Sequence, residues 1–233
     1  FHVFRHLCTL GYEVVGLDNL NSYYDVNLKL QRLRESGFDV DEISPGMACK
    51  SRNGGRFYQL DVENRNRLPE IFAAEKFDSV CHLAAQAGVR YSLENPFAYL
   101  ESNLTGFLNI LECCRRHPVE QLVFASSSSV YGDNAKVPFS VKDPTEQPVS
   151  LYAATKKTNE LMAHCYSHLF HIPMTGLRFF TVYGPWGRPD MALFKFTRGI
   201  LNGTPIDVYN HGDMKRDFTY IDNVVQANIA ACS

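Results

Sequence analysis

Ala125-Ser126-Ser127-Ser128-Ser129-Val130-Tyr131-Gly132 and, further along, Tyr152-Ala153-Ala154-Thr155-Lys156 decide how this chain is read. The serine run follows Gln121-Leu122-Val123-Phe124-Ala125, a short apolar run that reads as a strand. The stretch from Tyr152 to Phe170 has a helical pattern, so Tyr152 and Lys156 stand one turn apart on one face. In a chain with 12 tyrosines that spacing alone is a weak signal; the serine run beside it makes it a strong one. The chemistry explains the set. Taking a proton from a substrate hydroxyl while hydride leaves the same carbon needs a general base. Free tyrosine, with a pKa of about 10, is too weakly acidic to serve at neutral pH. A nearby ammonium favours the phenolate, and a serine hydroxyl can hold the substrate oxygen.

Outward from this stretch, short strands alternate with longer helices. Glu13 to Asp18, Arg56 to Asp61, Ser79 to Leu83 and Thr175 to Phe179 read as strands; Arg67 to Glu75 and Pro96 to Arg116 read as helices. The alternation predicts an α/β fold, a doubly wound parallel sheet covered on both faces. The stretch from Ser36 to Gly55, rich in glycine and proline, breaks the rhythm and reads as a surface insertion. Asp18 ends the first visible strand, where an acidic side chain accepts hydrogen bonds from the adenosine ribose of a dinucleotide and repels a 2′-phosphate. The companion glycine-rich loop would lie about 20 residues upstream. The chain is therefore expected to start just after that loop, with Phe1 to Leu10 as the helix that follows it and the first strand missing. Asp61 ends the next strand, and Leu83-Ala84-Ala85-Gln86-Ala87-Gly88 follows the third, its small residues allowing close approach of a flat ligand. Ligands of open α/β sheets sit at this strand edge.

Composition excludes several classes. The 23 basic and 25 acidic residues leave no basic excess for nucleic acid. No apolar run approaches the roughly 20 residues that span a bilayer, and the start lacks the features of a signal peptide. Seven cysteines without a CxxC point to a reduced, cytoplasmic protein. His164, His168 and His171 cluster, but Cys165 stands where a zinc protease has its glutamate, so no metal site is expected.

The serine run followed by Tyr-x-x-x-Lys resembles the extended short-chain dehydrogenase/reductase family. Ser127-Ser128-Ser129-Val130-Tyr131-Gly132 and Ser150-Leu151-Tyr152-Ala153-Ala154-Thr155-Lys156-Lys157 resemble its nucleotide-sugar 4-epimerases. Phe179-Phe180-Thr181-Val182-Tyr183-Gly184-Pro185-Trp186-Gly187-Arg188-Pro189-Asp190 and Ala84-Ala85-Gln86-Ala87-Gly88-Val89-Arg90-Tyr91-Ser92 are most similar to the UDP-glucuronate 4-epimerases. The resemblance implies a Rossmann-like NAD-binding domain over residues 1–180, incomplete at its N-terminus. It implies the start of an interleaved UDP-sugar lobe over 181–233, truncated at the C-terminal end.

The implied enzyme interconverts UDP-glucuronate and UDP-galacturonate through a transient 4-keto sugar, with Tyr152 as base, Lys156 as its partner and Ser127 as hydroxyl donor. For NAD the resemblance implies Asp18, Asn19, Asp61, Val62, Leu83, Ala84, Ala85, Ser102 and Phe180, with Tyr152 and Lys156. For the sugar it implies Arg90, Ser128 and Ser129, with Thr181 and Arg188 at the uronate carboxylate and Arg216 at the UDP phosphates. It also implies a homodimer through the helices Pro96–Arg116 and Tyr152–Phe170. A dehydratase or UDP-glucuronate decarboxylase of this kind usually has an acid where Ser129 stands. A UDP-glucose or UDP-N-acetylglucosamine 4-epimerase has no need of Arg188. An inactive remnant that binds nucleotide or a partner is the non-enzyme alternative, against which the intact Ser127, Tyr152 and Lys156 argue.

Overall fold

The structure is a computed structural model, and it describes residues 1–232. Helix α1 (His2–Thr9) precedes strand β1 (Val15–Asp18). Asp25 then starts α2 (Val26–Glu35) by accepting a hydrogen bond from Asn27 N at 2.9 Å, which satisfies an amide the helix itself cannot. Next come β2 (Ala48–Lys50), β3 (Arg56–Gln59), α3 (Arg67–Glu75) and β4 (Ser79–His82). After these follow α4 (Tyr91–Glu94), α5 (Pro96–Tyr99), a π-helical stretch (Leu100–Thr105) and α6 (Gly106–Arg116). Strand β5 (Gln121–Ser127) leads into a single 3-10 turn (Ser128–Tyr131), and α7 (Leu151–Phe170) into β6 (Met174–Phe179). The last elements are β7 (Thr181–Tyr183), α8 (Ala192–Leu201), β8 (Phe218–Tyr220) and α9 (Ile221–Cys232).

These elements form two compact units, each made of two separate stretches. One comprises Phe1–Tyr58 and Phe180–Gln226, the other Gln59–Phe179 and the residues from Ala227 onward.

In the second unit β5 lies between β4 and β6, parallel to both, with Val80 opposite Leu122 and Phe124 opposite Gly176. Leu122 and Val123 are wholly buried, as are Leu111 and Cys114 of α6 and Ala153 of α7. This explains the near-continuous apolar run of β5: a parallel strand covered on both faces has no solvent side to alternate toward. The Phe107 ring lies 5.2 Å from that of Phe124 and 5.4 Å from that of His82. Each side chain of this size contributes roughly 1.5–3 kcal/mol on burial.

In the first unit the strand order is β1-β3-β2, with β2 antiparallel to β3. The stretch from Ser36 to Gly55, expected to be a surface insertion, is part of this unit's core. Phe38 and Cys49 from it are buried with Phe57, against Phe4, Leu20, Leu33 and Ile43. The reason it reads as surface is that β2 is only three residues long and buries only Cys49. The expected helix from Pro96 to Arg116 is also corrected: six of its residues form a π-helix. The other expected elements stand within a few residues of their predicted bounds, and Arg67–Glu75 stands unchanged.

Candidate active site

The catalytic candidates of the second unit sit on two elements that meet. Ser150 caps α7 by accepting from Ala153 N at 3.1 Å, which sets Tyr152 in the first turn and Lys156 one turn later. Lys156 is 3% exposed, and its Nζ donates to Ala125 O of β5 at 2.8 Å. That bond ties α7 to the strand two residues before Ser127. The strand ends there: Ser127 Oγ accepts from Ser129 N at 3.1 Å and turns the chain into Ser128-Ser129-Val130-Tyr131. Tyr131 and Val130 are buried beneath this turn. The Tyr152 ring meets that of Tyr99 edge-on at 6.2 Å.

Electrostatics at this point are unusual. Burial lowers the Lys156 pKa to about 8. Burial, and then the Lys156 charge, lower that of His82 to about 3. His82 is therefore neutral, and Lys156 carries the charge. Among the described residues the one hydrogen-bond acceptor of Lys156 is Ala125 O, whereas an ammonium has three donors. A buried ammonium with donor capacity to spare fits the ribose hydroxyls of a nicotinamide cofactor, and its charge favours a phenolate on its own helix.

Side chains of the π-helix and α6 hold the other candidate segments of this unit. Asp61 and Val62 follow β3, and Leu83, Ala84 and Ala85 follow β4. Asn109 Nδ2 donates to Val62 O at 2.7 Å, and Ser102 Oγ to Glu63 Oε1 at 2.7 Å. Asn103 is a residue that sequence reasoning missed. It is 1% exposed, accepts from Gln86 N at 2.8 Å, and donates to Gln86 O at 3.0 Å and Thr155 Oγ1 at 3.0 Å. It thereby fixes the loop after β4 to the helix that bears Tyr152. The π-helix places it there; single π turns within helices are frequent at functional sites. Arg90, at the start of α4, is exposed.

The first unit holds the remaining candidates. Asp18 Oδ1 accepts from Leu20 N at 2.7 Å and from Lys29 Nζ at 3.2 Å. The Asp18 side chain is 48% exposed, as a residue reading a ribose requires, and Asn19 follows it. Thr181 follows Phe180 and opens β7; its N donates to Asp217 O at 3.2 Å, which brings it beside the segment of Arg216. Arg216 is exposed, with Nη1 on Lys215 O at 2.8 Å. Arg188 is held by Asp190, through Nε at 2.9 Å and Nη2 at 2.6 Å.

The model of the NAD-dependent epimerase/dehydratase family matches residues 1–233. The chain belongs to that family. Protein CapI of Staphylococcus aureus is 54% identical over 226 residues, covering 97% of this chain and 64% of CapI. UDP-glucuronate 4-epimerase 2 of Arabidopsis thaliana is 50% identical over 234 residues, 99% of this chain and 51% of the plant protein. The chain thus spans less than two thirds of one of these family members and about half of the other. Among solved family structures, UDP-glucuronic acid 4-epimerase from Bacillus cereus in complex with UDP-glucuronic acid and NAD is similar with a TM-score of 0.83. It is 32% identical, and the match covers 97% of this chain and 68% of that one.

Among the described residues, no group of three or more His, Cys, Asp or Glu side chains could hold a metal ion, and no helix is long and apolar enough to cross a membrane. The seven cysteines are free of disulfides.

Proposed function

We propose that the protein is an NAD-dependent, cytoplasmic nucleotide-sugar 4-epimerase acting on a UDP-hexuronate, UDP-glucuronate to UDP-galacturonate. The observation that carries this is the buried Lys156, bonded to β5 two residues before Ser127, with Tyr152 one helical turn above it. The substrate class is supported by the names of the relatives and by Arg188, a residue that a neutral C6 would not need. When bound, NAD would supply the hydride acceptor in its oxidised form and the hydride donor in its reduced form. Tyr152 takes the proton of the C4 hydroxyl and returns it once the sugar has presented its other face. Lys156 holds the nicotinamide ribose and stabilises the Tyr152 phenolate; Ser127 donates to the C4 oxygen. Ser128, Ser129 and Arg90 line the sugar, Thr181 and Arg188 meet the carboxylate, and Arg216 meets the phosphates. Asp18 and Asn19 hold the adenosine ribose, and Asp61, Val62, Leu83, Ala84, Ala85, Ser102 and Phe180 line the rest of the cofactor. In this reading residues 1–180 carry NAD and residues 181–233 open the UDP-sugar lobe. Serine at position 129 disfavours the dehydratase and decarboxylase alternatives, because a hydroxyl is a poor acid-base group at neutral pH.

A homodimer through the α6 and α7 faces belongs to the same proposal. Leu108 on α6, and Leu161, Leu169 and Phe170 on α7, are 38%, 55%, 64% and 43% exposed, an apolar surface that a second copy would cover.

The test is Tyr152→Phe in the full-length gene product. The variant is expected to retain NAD through purification and to lose epimerisation by about 10²–10⁴-fold, the usual contribution of a general base. Turnover within tenfold of wild type would remove Tyr152 as the base.

A further inference from the structure

Arg188 lies in a loop that is fixed from several sides, all within the first unit. Trp186 has φ +60, a left-handed conformation that a bulky residue adopts only when its surroundings impose it. Arg32 of α2 donates from Nε to Trp186 O at 3.1 Å, with a second, shorter bond from Nη2. His2 Nε2 lies 2.9 Å from Pro185 O, and a side chain at Gly187 would meet the Phe194 ring at 2.5 Å. Within this platform Asp190 grips the Nε–Nη2 edge of Arg188 with both carboxylate oxygens. Asp190 is itself held: its Oδ2 accepts from Tyr23 Oη at 3.2 Å. Burial pushes the Asp190 carboxyl up, but the Arg188 hydrogen bonds and charge, with the Tyr23 bond, outweigh it and hold the pKa below the ordinary value. Tyr23 comes from Asn19-Leu20-Asn21-Ser22-Tyr23-Tyr24, directly after Asp18; Tyr24 Oη in turn accepts from Arg32 Nη1 at 2.7 Å.

We infer that Asp190 and Tyr23 are positioning residues that make Arg188 selective for a carboxylate at the sugar's C6. The inference rests on the proposed reading of Arg188. A guanidinium is a planar fork, and fixing one edge fixes the direction of every other N–H. A bidentate grip by Asp190 therefore orders the fork before substrate arrives, so that binding does not have to order it. Asp190 also balances the Arg188 charge. A nearly neutral pair offers little to anions in general and rewards the one that matches the fork's geometry, a planar carboxylate. The segment after the cofactor-binding aspartate thus has a second task, through Tyr23, in recognising the sugar.

The experiment measures Kd for UDP-glucuronate and for UDP-glucose by titration calorimetry on the full-length gene product. Arg188→Ala, Asp190→Asn, Asp190→Glu and Tyr23→Phe are compared with wild type. Asp190→Asn keeps the shape but replaces one acceptor oxygen with a donor, so the bidentate, charged grip on the fork falls to a single neutral hydrogen bond. It should weaken UDP-glucuronate about tenfold or more, the scale of a charge-assisted hydrogen bond, and UDP-glucose less than about twofold. Tyr23→Phe should act in the same direction by about threefold, and Asp190→Glu should restore part of the selectivity. If Asp190→Asn does not fold, Tyr23→Phe carries the test, with UDP-glucose binding as its folding control. If Arg188→Ala weakens both sugars equally, the carboxylate reading of Arg188 itself fails. If Arg188→Ala is selective but Asp190→Asn and Tyr23→Phe change both sugars alike, or neither, the reading of Arg188 stands and the positioning role is overturned.

Discussion

Among the described residues each unit buries one lysine, and the two burials differ in kind. Lys29, 7% exposed, gives its ammonium to Asp18 Oδ1 at 3.2 Å and Asn21 Oδ1 at 3.1 Å, and lies 5.2 Å from the centre of the Tyr24 ring. Among the described residues Lys156, 3% exposed, has a single backbone carbonyl at 2.8 Å and no carboxylate in its hydrogen-bonding shell. A buried cation beside a carboxylate is balanced and holds that carboxylate in place; here it holds the end of β1. A buried cation without one is destabilising, and such groups concentrate where chemistry needs them. Under the proposed function, the difference separates a residue that orders a binding group from a residue that works on the reaction.

Three measurements would break or sharpen this contrast. The largest effect is expected from Lys156→Met in the full-length gene product. Removing the ammonium takes away the charge proposed to stabilise the Tyr152 phenolate, and turnover should fall by about 10³-fold or more. Product chromatography reads this directly; a loss under tenfold would place Lys156 outside the reaction.

The second effect, on stability, has the opposite sign. The folded-state pKa of Lys156 is about 8, lowered by burial from 10.5. Between those values the unfolded chain holds more protons than the folded one, so stability climbs as pH rises through this window and falls as pH drops back through 8. Lys156→Met removes that dependence. Freed of nucleotide, the variant should be more stable than wild type at pH 7, by about 2 kcal/mol once the lost bond to Ala125 O is offset. The gain should shrink toward pH 10.5. Thermal melts across that range check it, and a destabilised variant at pH 7 would mean that the Lys156 charge is compensated after all.

The smallest effect belongs to Lys29→Met. The Asp18 carboxylate would lose one of its two donors while remaining bound to Leu20 N. NAD affinity should fall by about three- to tenfold, the scale of a single hydrogen bond to a charged group. Reconstitution of nucleotide-free protein with NAD reads this. An unchanged affinity would make Lys29 a packing residue only.

How much of this was legible in the sequence depended on whether a feature was local. β5 was legible because a strand covered on both faces is written as an apolar run. α3 and α7 were legible because helical periodicity survives without knowledge of partners. The placement of the proposed site residues was legible where spacing carried it: Tyr152, Lys156 and the serine run lie on elements whose types and ends could be read. The π-helix in Leu100–Thr105 was not, since one wider turn leaves the apolar pattern of Pro96–Arg116 nearly unchanged. Nor was the core role of Phe38 and Cys49, because a three-residue strand among glycines resembles a loop. Asn103, Lys29 and the Tyr23–Asp190 bond were illegible for another reason. Their partners are 52, 11 and 167 positions away in the chain, and only the folded backbone brings them together.

The measurement that tests the central claim most directly is product and cofactor analysis in a single reaction. The purified full-length gene product is incubated with UDP-glucuronate and no added nucleotide, and the sugars and the bound cofactor are then separated. The account predicts that UDP-galacturonate accumulates toward an equilibrium mixture while the enzyme still carries NAD⁺, with no net NADH. Stoichiometric NADH accumulation, or a UDP-pentose as the main product, would contradict it.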